Sequence, residues 1–318
     1  MTKLIIQIPC FNEAESLPVT LAELPRKIDG IDQVEWLIID DGSTDGTVEV
    51  AQEHGVDHIV SLPRNQGLAK AFMAGIDACL SAGADYIVNT DADNQYKSSG
   101  IPALLDPIRN GSADIVIGCR PVMEIEHFSP VKKALQKIGS WAVRVASNTD
   151  IPDAPSGFRA FSREAAMRLY VTDSYTYTLE TIIQAGKNNM AINWVPVEVN
   201  EDLRPSRLVK GNASYVVRSI GTIGRVFLMY RAFPFLFGLG ALLMLPGLLI
   251  GLRFLYFYLA GDGQGHVQSL ILAGLLMSMG FLTCITGVIA HLIGVNRKIL
   301  EDIRWRTIRQ DGSRGGRL

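Results

Sequence analysis

Two aspartates, Asp91 and Asp93, stand one residue apart in the run Asn89-Thr90-Asp91-Ala92-Asp93-Asn94-Gln95, directly behind the apolar stretch Ala84–Val88. On the turn that ends a strand, two such carboxylates can converge on one divalent cation. Mg²⁺ and Mn²⁺ favour carboxylate oxygens and usually share themselves with substrate phosphates. A bare Asp-x-Asp is a weak signal, because aspartate is also common in solvated turns. The neighbouring segments decide. Pro9-Cys10-Phe11-Asn12-Glu13, Asp40-Asp41-Gly42-Ser43-Thr44-Asp45-Gly46-Thr47 and Asn65-Gln66-Gly67-Leu68-Ala69-Lys70 each follow an apolar run as well. In an open α/β sheet, ligands bind outside the carboxyl ends of the strands, which would gather all four segments at one edge. Neither glycine-rich phosphate motif, Gly-x-Gly-x-x-Gly or Gly-x-x-x-x-Gly-Lys-Ser/Thr, occurs at these ends. The pattern fits a nucleotide whose base and ribose are held by carboxylates and whose diphosphate is held by a metal.

The elements that must position these residues alternate in type. Leu4–Pro9, Val34–Ile39, His58–Ser61, Asp85–Val88 and Asp114–Gly118 read as strands. Between them lie helical stretches over Ser16–Ile28, Thr47–His54, Leu68–Ala82 and Ile101–Asn110. Ser98 or Ser99 is expected to cap the last of these, ahead of Pro102 in its first turn. Such alternation predicts an α/β domain with a mostly parallel, doubly wound sheet. Further on, Lys132–Ser147 and Tyr177–Lys187 read as helices and Ala191–Val197 as a strand.

The final third changes character. Phe233–Ala260 is apolar apart from Arg253, and Val267–Val295 is apolar apart from His291. Each run exceeds the ~20 residues needed to cross a bilayer core. The loop between them, Gly261–His266, has no Lys or Arg. Arg218, Arg225 and Arg231 precede the first run, and Arg297, Lys298, Arg304, Arg306 and Arg309 follow the second. The positive-inside rule then predicts a multi-pass protein of the cell inner (plasma) membrane, with both the N-terminal domain and the C-terminus cytoplasmic. Asn212–Arg231, with spaced arginines among apolar residues, is expected to lie along the membrane surface. The expected organisation is a catalytic domain over 1–211, an interface helix over 212–231, a transmembrane hairpin over 232–297 and a basic tail over 298–318. Leu4–Ile8 is too brief for a signal core. Gly238, Gly240, Gly247 and Gly251 would suit helix packing within the chain or in a homo-oligomer.

Composition narrows the partners. A net charge of −2 over 318 residues gives no bulk electrostatic footprint for nucleic acid. The four cysteines, Cys10, Cys79, Cys119 and Cys284, show neither metal-ligand nor disulfide spacing, which fits a reducing compartment.

The strand-end motifs resemble those of family-2 glycosyltransferases, which are inverting, metal-dependent enzymes with the GT-A fold. The resemblance rests on Pro9–Glu13, the run from Asp40, the Asn-x-Gly-x-x-x-Ala pattern from Asn65 and Asp91-Ala92-Asp93-x-Gln95. Gly118-Cys119-Arg120, Ser156-Gly157-Phe158-Arg159 and Arg204-Pro205-Ser206-Arg207 are similar to the polyisoprenyl-phosphate glycosyltransferases, the group that includes dolichyl-phosphate mannosyltransferase. The resemblance implies that Pro9, Phe11, Glu13 and Asp41 contact base and ribose, with Ala92 beside the donor. It implies that Asp91, Asp93 and Gln95 gather Mg²⁺ or Mn²⁺ and the donor diphosphate. Arg120, Lys133 and Arg159 would meet the acceptor phosphate, and Arg204 with Arg207 would close over the donor or the lipid phosphate. Asp93, Arg120 and Arg204 are the implied catalytic residues. Members often carry an apolar residue at the place of Asn94, and Gly-x-Ser-Lys where this chain has Pro205 and Arg207.

A phosphate acceptor also suits the chemistry. A lipid monophosphate has a second pKa of about 6, so it is an anionic nucleophile at neutral pH and needs cations to place it rather than a base. Arg120, Lys132, Lys133, Arg159, Arg204, Arg207 and Lys210 supply those cations. Glu180 is a candidate base, although a carboxylate on a helix surface would look the same. Two other readings stay open at this stage. One is a processive polysaccharide synthase, whose Gln-x-x-Arg-Trp has a near match in Glu301-Asp302-Ile303-Arg304-Trp305. The other is a non-enzymatic, membrane-tethered nucleotide-sugar sensor.

Overall fold

A computed structural model describes residues 1–121, 130–171, 177–200, 212–261 and 266–315. In chain order the elements are β1 (Lys3–Cys10), α1 (Leu17–Glu23), β2 (Gln33–Asp40), α2 (Thr47–Glu53), β3 (His58–Ser61), α3 (Leu68–Ser81), β4 (Tyr86–Asn89), α4 (Ile101–Arg109), β5 (Ile115–Cys119), α5 (Pro130–Ser147), β6 (Arg159–Ser162), α6 (Arg163–Arg168), α7 (Thr178–Lys187), β7 (Ile192–Pro196), α8 (Asn212–Leu259) and α9 (Val267–Gly315). The seven strands form one sheet in the order β3-β2-β1-β4-β6-β5-β7. β1 and β2 are buried along nearly their whole length, the pattern of a parallel sheet covered on both faces. One face packs Leu4, Ile6, Ile8, Val88 and Val116 against Leu17, Leu21, Leu104 and Leu105 of α1 and α4. On the other face, Gly75 brings α3 close, since a Cβ there would collide with Gln7 Oε1 and meet Ile39 at 2.7 Å.

β6 alone runs against its neighbours, antiparallel to both β4 and β5. This strand is absent from the sequence-derived set, and it decides the layout of the site. Because it is reversed, its beginning meets the ends of β4 and β5. The segment Ser156–Phe158 therefore shares an edge with Asp91, Asp93 and Arg120.

Two helix boundaries differ from expectation. α1 stops at Glu23, because Leu24 is extended ahead of Pro25, as a residue before proline prefers. Neither Ser98 nor Ser99 caps α4; both belong to a 3₁₀ turn, and the Ser98 hydroxyl donates to the Glu23 carbonyl instead.

The chain divides into two compact units, one of residues 1–223 with 301–318 and one of residues 224–300. Asn212–Arg231 is the opening of the single helix α8 and is continuous with the first apolar run, while α9 carries the expected tail as helix through Gly315. Ala232–Leu259 and Val267–Thr307 are long and apolar enough to cross a membrane. Within the second unit, α8 and α9 approach through glycines. A Cβ on Gly240 would meet Gly280 O at 2.7 Å, and one on Gly247 would meet Met277 at 3.0 Å. Close glycine contact of this kind is a common way to pack helices in lipid. A Cβ on Gly238 would meet nothing within 4 Å, so this glycine lies outside the seam. Leu242, Leu249, Phe281 and Leu292 are among the large apolar side chains left exposed.

Candidate active site

The loops after β1 and β2 interlock. Asn12, in a left-handed conformation (φ 56°), donates its backbone N–H to Ser43 Oγ at 2.9 Å and accepts from the Thr44 N–H at 2.8 Å. Glu13 donates its N–H to Thr47 Oγ1 at 2.9 Å and accepts from the Ser16 hydroxyl. Phe11 is exposed at 42 %, a ring face open to a ligand, whereas Pro9 lies in β1 opposite Ile39. Asp41 is buried, and its two oxygens accept the backbone N–H groups of Gln66 (2.7 Å) and Gly67 (2.9 Å). It thereby pins the loop that opens α3. Gly42 has φ +72° and backs onto Arg64, leaving no room for a side chain.

The Asp91–Gln95 turn follows β4. Asn94 is also left-handed (φ 55°), a conformation asparagine tolerates well, and its amide donates to Glu23 Oε1 at 3.0 Å. These two demands explain a polar residue where the family often has an apolar one. Ala92 is buried and its carbonyl accepts from Thr20 Oγ1 at 2.9 Å. Asp93 Oδ1 accepts the Gln95 N–H at 3.1 Å. Asp91 is half-buried, and a Cβ on Gly157 would stand 2.7 Å from its Oδ2. Burial, and then the charge of Asp93, push the Asp91 carboxyl up to about 7, against the pull of Arg120 and Arg159.

Arg120 leaves β5 and is gripped by Asp153. Its Nε donates to Asp153 Oδ2 at 2.8 Å and its Nη2 to Oδ1 at 3.1 Å, with the two side chains only 8 % and 2 % exposed. Its Nη1 reaches Gln95 Oε1 at 3.0 Å. Tyr96, buried beside it, accepts the Gly157 N–H at 3.0 Å, and its ring stacks on Phe158. Asn89 joins the sheet to this loop, donating to Gly157 O at 2.9 Å and to the Tyr177 hydroxyl at 2.8 Å while accepting from Gln7.

Arg159 differs from expectation. It is fully buried, with Nε on the Ser156 carbonyl, Nη2 on the Ala154 carbonyl (both 2.8 Å) and Nη1 on the Thr181 hydroxyl. A guanidinium committed in this way braces the 154–156 loop and is too deep to meet a lipid phosphate. Glu180 is buried at 4 % exposure, so the helix-surface reading of it fails. Cys10, Cys79 and Cys119 are buried thiols. Arg204, Arg207 and Lys210 lie outside the described residues, as do the side chains of Lys132 and Lys133.

The structure thus brings Asp91, Asp93, Gln95 and Arg120 together and adds Asn89, Tyr96 and Asp153, which sequence reasoning missed. Asp153 carried a usable signal, a carboxylate three residues ahead of Ser156-Gly157-Phe158-Arg159. Among the described residues no group of three or more His, Cys, Asp or Glu side chains forms a closed metal cage. The paired carboxylates Asp91 and Asp93 nonetheless suit an Mg²⁺ or Mn²⁺ ion that completes its shell with substrate oxygens. A separate surface cavity of about 450 Å³, lined by residues including Lys27, Ser98 and Arg109, shares no residue with this site. Arg304 and Trp305, the near match to a synthase motif, pack elsewhere. Arg304 Nη2 donates to Asp77 Oδ1 at 2.7 Å, and the Arg168 guanidinium lies 5.1 Å from the Trp305 ring. Asp77 is nine residues into α3, about 14 Å along the helix from its active-edge end.

A mixed seven-stranded sheet with these loops at one edge is a GT-A fold. Residues 5–170 match the profile of Glycosyl transferase family 2, and the chain belongs to that family. It is 29 % identical over 215 residues to an undecaprenyl-phosphate mannosyltransferase of Micrococcus luteus, covering 64 % of this chain and 86 % of the relative. It is 29 % identical over 237 residues to a polyprenol monophosphomannose synthase of Mycolicibacterium smegmatis, covering 70 % and 88 %. Among solved structures, glucosyl-3-phosphoglycerate synthase of Mycobacterium tuberculosis, in complex with Mn²⁺, UDP and glucosyl-3-phosphoglycerate, superposes with a TM-score of 0.55 at 20 % identity. That match covers 71 % of this chain and 79 % of the other, a likeness of fold.

Proposed function

We propose that this protein transfers a hexose from a nucleoside-diphosphate sugar to a polyisoprenyl phosphate, with inversion at the anomeric carbon. The observation that carries the reading is the convergence of the Asp91–Asp93 turn with a clamped Arg120, an acidic cation site beside a fixed cation. Two helices able to cross a membrane, with undecaprenyl phosphate in the name of one sequence relative and polyprenol monophosphomannose in that of the other, support the acceptor class.

Phe11, Glu13 and Asp41 line the end where the base and ribose would lie, with Asp41 acting mainly through the loop it pins. Asp91 and Asp93, with Gln95, would hold Mg²⁺ or Mn²⁺ against the donor diphosphate. When bound, that ion neutralises charge on the departing nucleoside diphosphate. Arg120 would orient a phosphate oxygen at the same edge, and Lys133, Arg204 and Arg207 are the further cations assigned to the phosphates. The acceptor phosphate is already anionic, so the site needs placement more than proton abstraction. A catalytic domain on the cytoplasmic side of the plasma membrane, anchored by α8 and α9, follows from the arginine distribution.

The test is transfer from a panel of radiolabelled nucleotide sugars by the purified protein. Label should enter an organic-extractable polyprenyl phosphate product, and Asp93→Ala should abolish transfer while the protein stays folded. Label entering an insoluble polymer would support the synthase reading instead. Full activity of Asp93→Ala under metal chelation would sink the metal site.

A further inference from the structure

The proposed function gives Arg120 a phosphate to hold, and the structure shows what aims it. Asp153 meets Arg120 as a fork, two guanidinium donors on two carboxylate oxygens, and its Oδ2 also accepts the Arg120 backbone N–H at 3.2 Å. Bidentate pairing fixes orientation as well as charge. The loop that carries Asp153 is held in turn. The Ala154 N–H donates to Ser140 Oγ at 3.2 Å, the Ser156 N–H to the Asp153 carbonyl at 3.2 Å, and Arg159 binds the Ala154 and Ser156 carbonyls. Tyr96 lies against the same guanidinium, its ring centroid 5.8 Å away. With Nε and Nη2 committed to Asp153, Nη1 is the arm left to point at the Asp91–Gln95 turn, where it meets the Gln95 amide oxygen. A neutral amide oxygen is a weaker acceptor for a guanidinium than a phosphate oxygen.

We propose that Asp153 is a positioning residue for Arg120, and that Gln95 holds the place that a substrate phosphate oxygen takes on Nη1. The proposal rests on the reading that Arg120 meets a substrate phosphate, and it has an unusual sign. Asp153 is itself negative, so it weakens the attraction of the site for anions. If Arg120 acted through charge alone, removing the Asp153 charge would strengthen anion binding. If aim matters more, the same change weakens it.

The experiment uses the purified full-length protein and two readouts. The first is calorimetric binding of pyrophosphate in the presence of Mn²⁺. The second is kcat/KM for undecaprenyl phosphate with the donor found active in the panel. Asp153→Asn should weaken pyrophosphate binding and lower kcat/KM by about tenfold or more, a typical cost for losing one oriented charged contact. Arg120→Gln should lose at least as much, and the double variant should match Arg120→Gln alone. Tighter pyrophosphate binding in Asp153→Asn would overturn the proposal. So would a double variant well below Arg120→Gln, which would give Asp153 a role of its own.

If Asp153→Asn fails to fold because it strands a buried guanidinium, the double variant, with neither charge, still makes the comparison with Arg120→Gln. If the wild type transfers sugar to no polyprenyl phosphate, the proposed function fails while the pyrophosphate result still decides the role of Asp153. An Arg120→Gln variant with unchanged binding and turnover would remove the phosphate contact and the positioning proposal together.

Discussion

At Asp91 the site holds a weakened acid. Its carboxyl is raised, by burial and then by Asp93, to about 7. A raised carboxyl favours the folded state while protonated, so in the metal-free protein its contribution to stability falls as pH rises from about 4 to about 7. A bound cation needs the ionised form. Mn²⁺ affinity should therefore rise with pH up to about 7 and then level off, as titration calorimetry between pH 5.5 and 8.5 would show. A flat profile would remove Asp91 from the metal shell. Gly157 makes a second test at this scale, because a Cβ there would press on the Asp91 carboxylate. Gly157→Ala should fold normally but lose on the order of 10²-fold in turnover, the scale of cost for displacing a group by about 1 Å. The aspartates were legible in the sequence as a spacing at a strand end. Tyr96 was not, and Asp153 showed only as a carboxylate ahead of Ser156-Gly157, because the meaning of both depends on Arg120 and Gly157, which approach them only through the fold.

At the scale of elements, the sequence yielded the parallel strands and hid the reversed one. β1, β2 and β5 are apolar runs with a polar break at the end, an unmistakable pattern for buried parallel strands. β6 is four residues long, begins with a charged Arg159 and lacks such a signature. Pairing with β4 and β5 makes it a strand, and Arg159 survives burial there because its guanidinium satisfies the carbonyls of the preceding loop. Arg159→Met should leave those two acceptors unpaired and lower stability by roughly 2–6 kcal/mol, at about 1–3 kcal/mol per stranded group. Thermal unfolding would measure it, and a shift under about 1 °C would show that water replaces the guanidinium without loss. On β2, Glu35 accepts from Lys3 and His58 at 3.1 and 2.8 Å. Burial is the largest single influence on Glu35 and raises its carboxyl, yet the His58 and Lys3 hydrogen bonds and charges outweigh it and leave the carboxyl lowered. Its contribution to stability is therefore present above the ordinary glutamate range and is lost as pH falls through the lowered value. Replacing Glu35 with Gln should flatten the acid limb of the stability curve, with little change at pH 8 beyond a constant offset.

For the whole molecule, the two apolar runs were plain from length alone, while their internal seam needed the structure. Gly240 and Gly280 meet backbone to backbone across α8 and α9, and Gly238, equally small, does not take part. Gly240→Leu should wedge the two helices apart and lower the unfolding temperature in detergent, whereas Gly238→Leu should leave it within about a degree. Equal effects would place the seam elsewhere. α9 carries another consequence in the contact of Arg304 with Asp77 and the Leu169 carbonyl. A side chain at a given place on a helix has an angular phase, and one added residue advances it by about 100° and 1.5 Å. A single alanine inserted between Arg304 and Trp305 would thus set the two side chains about 200° apart instead of about 100°, and they could no longer meet α3 and α6 at once. The adjacency of Arg304 and Trp305 is then a phase setting, one residue step wide, to be kept in angle rather than in composition.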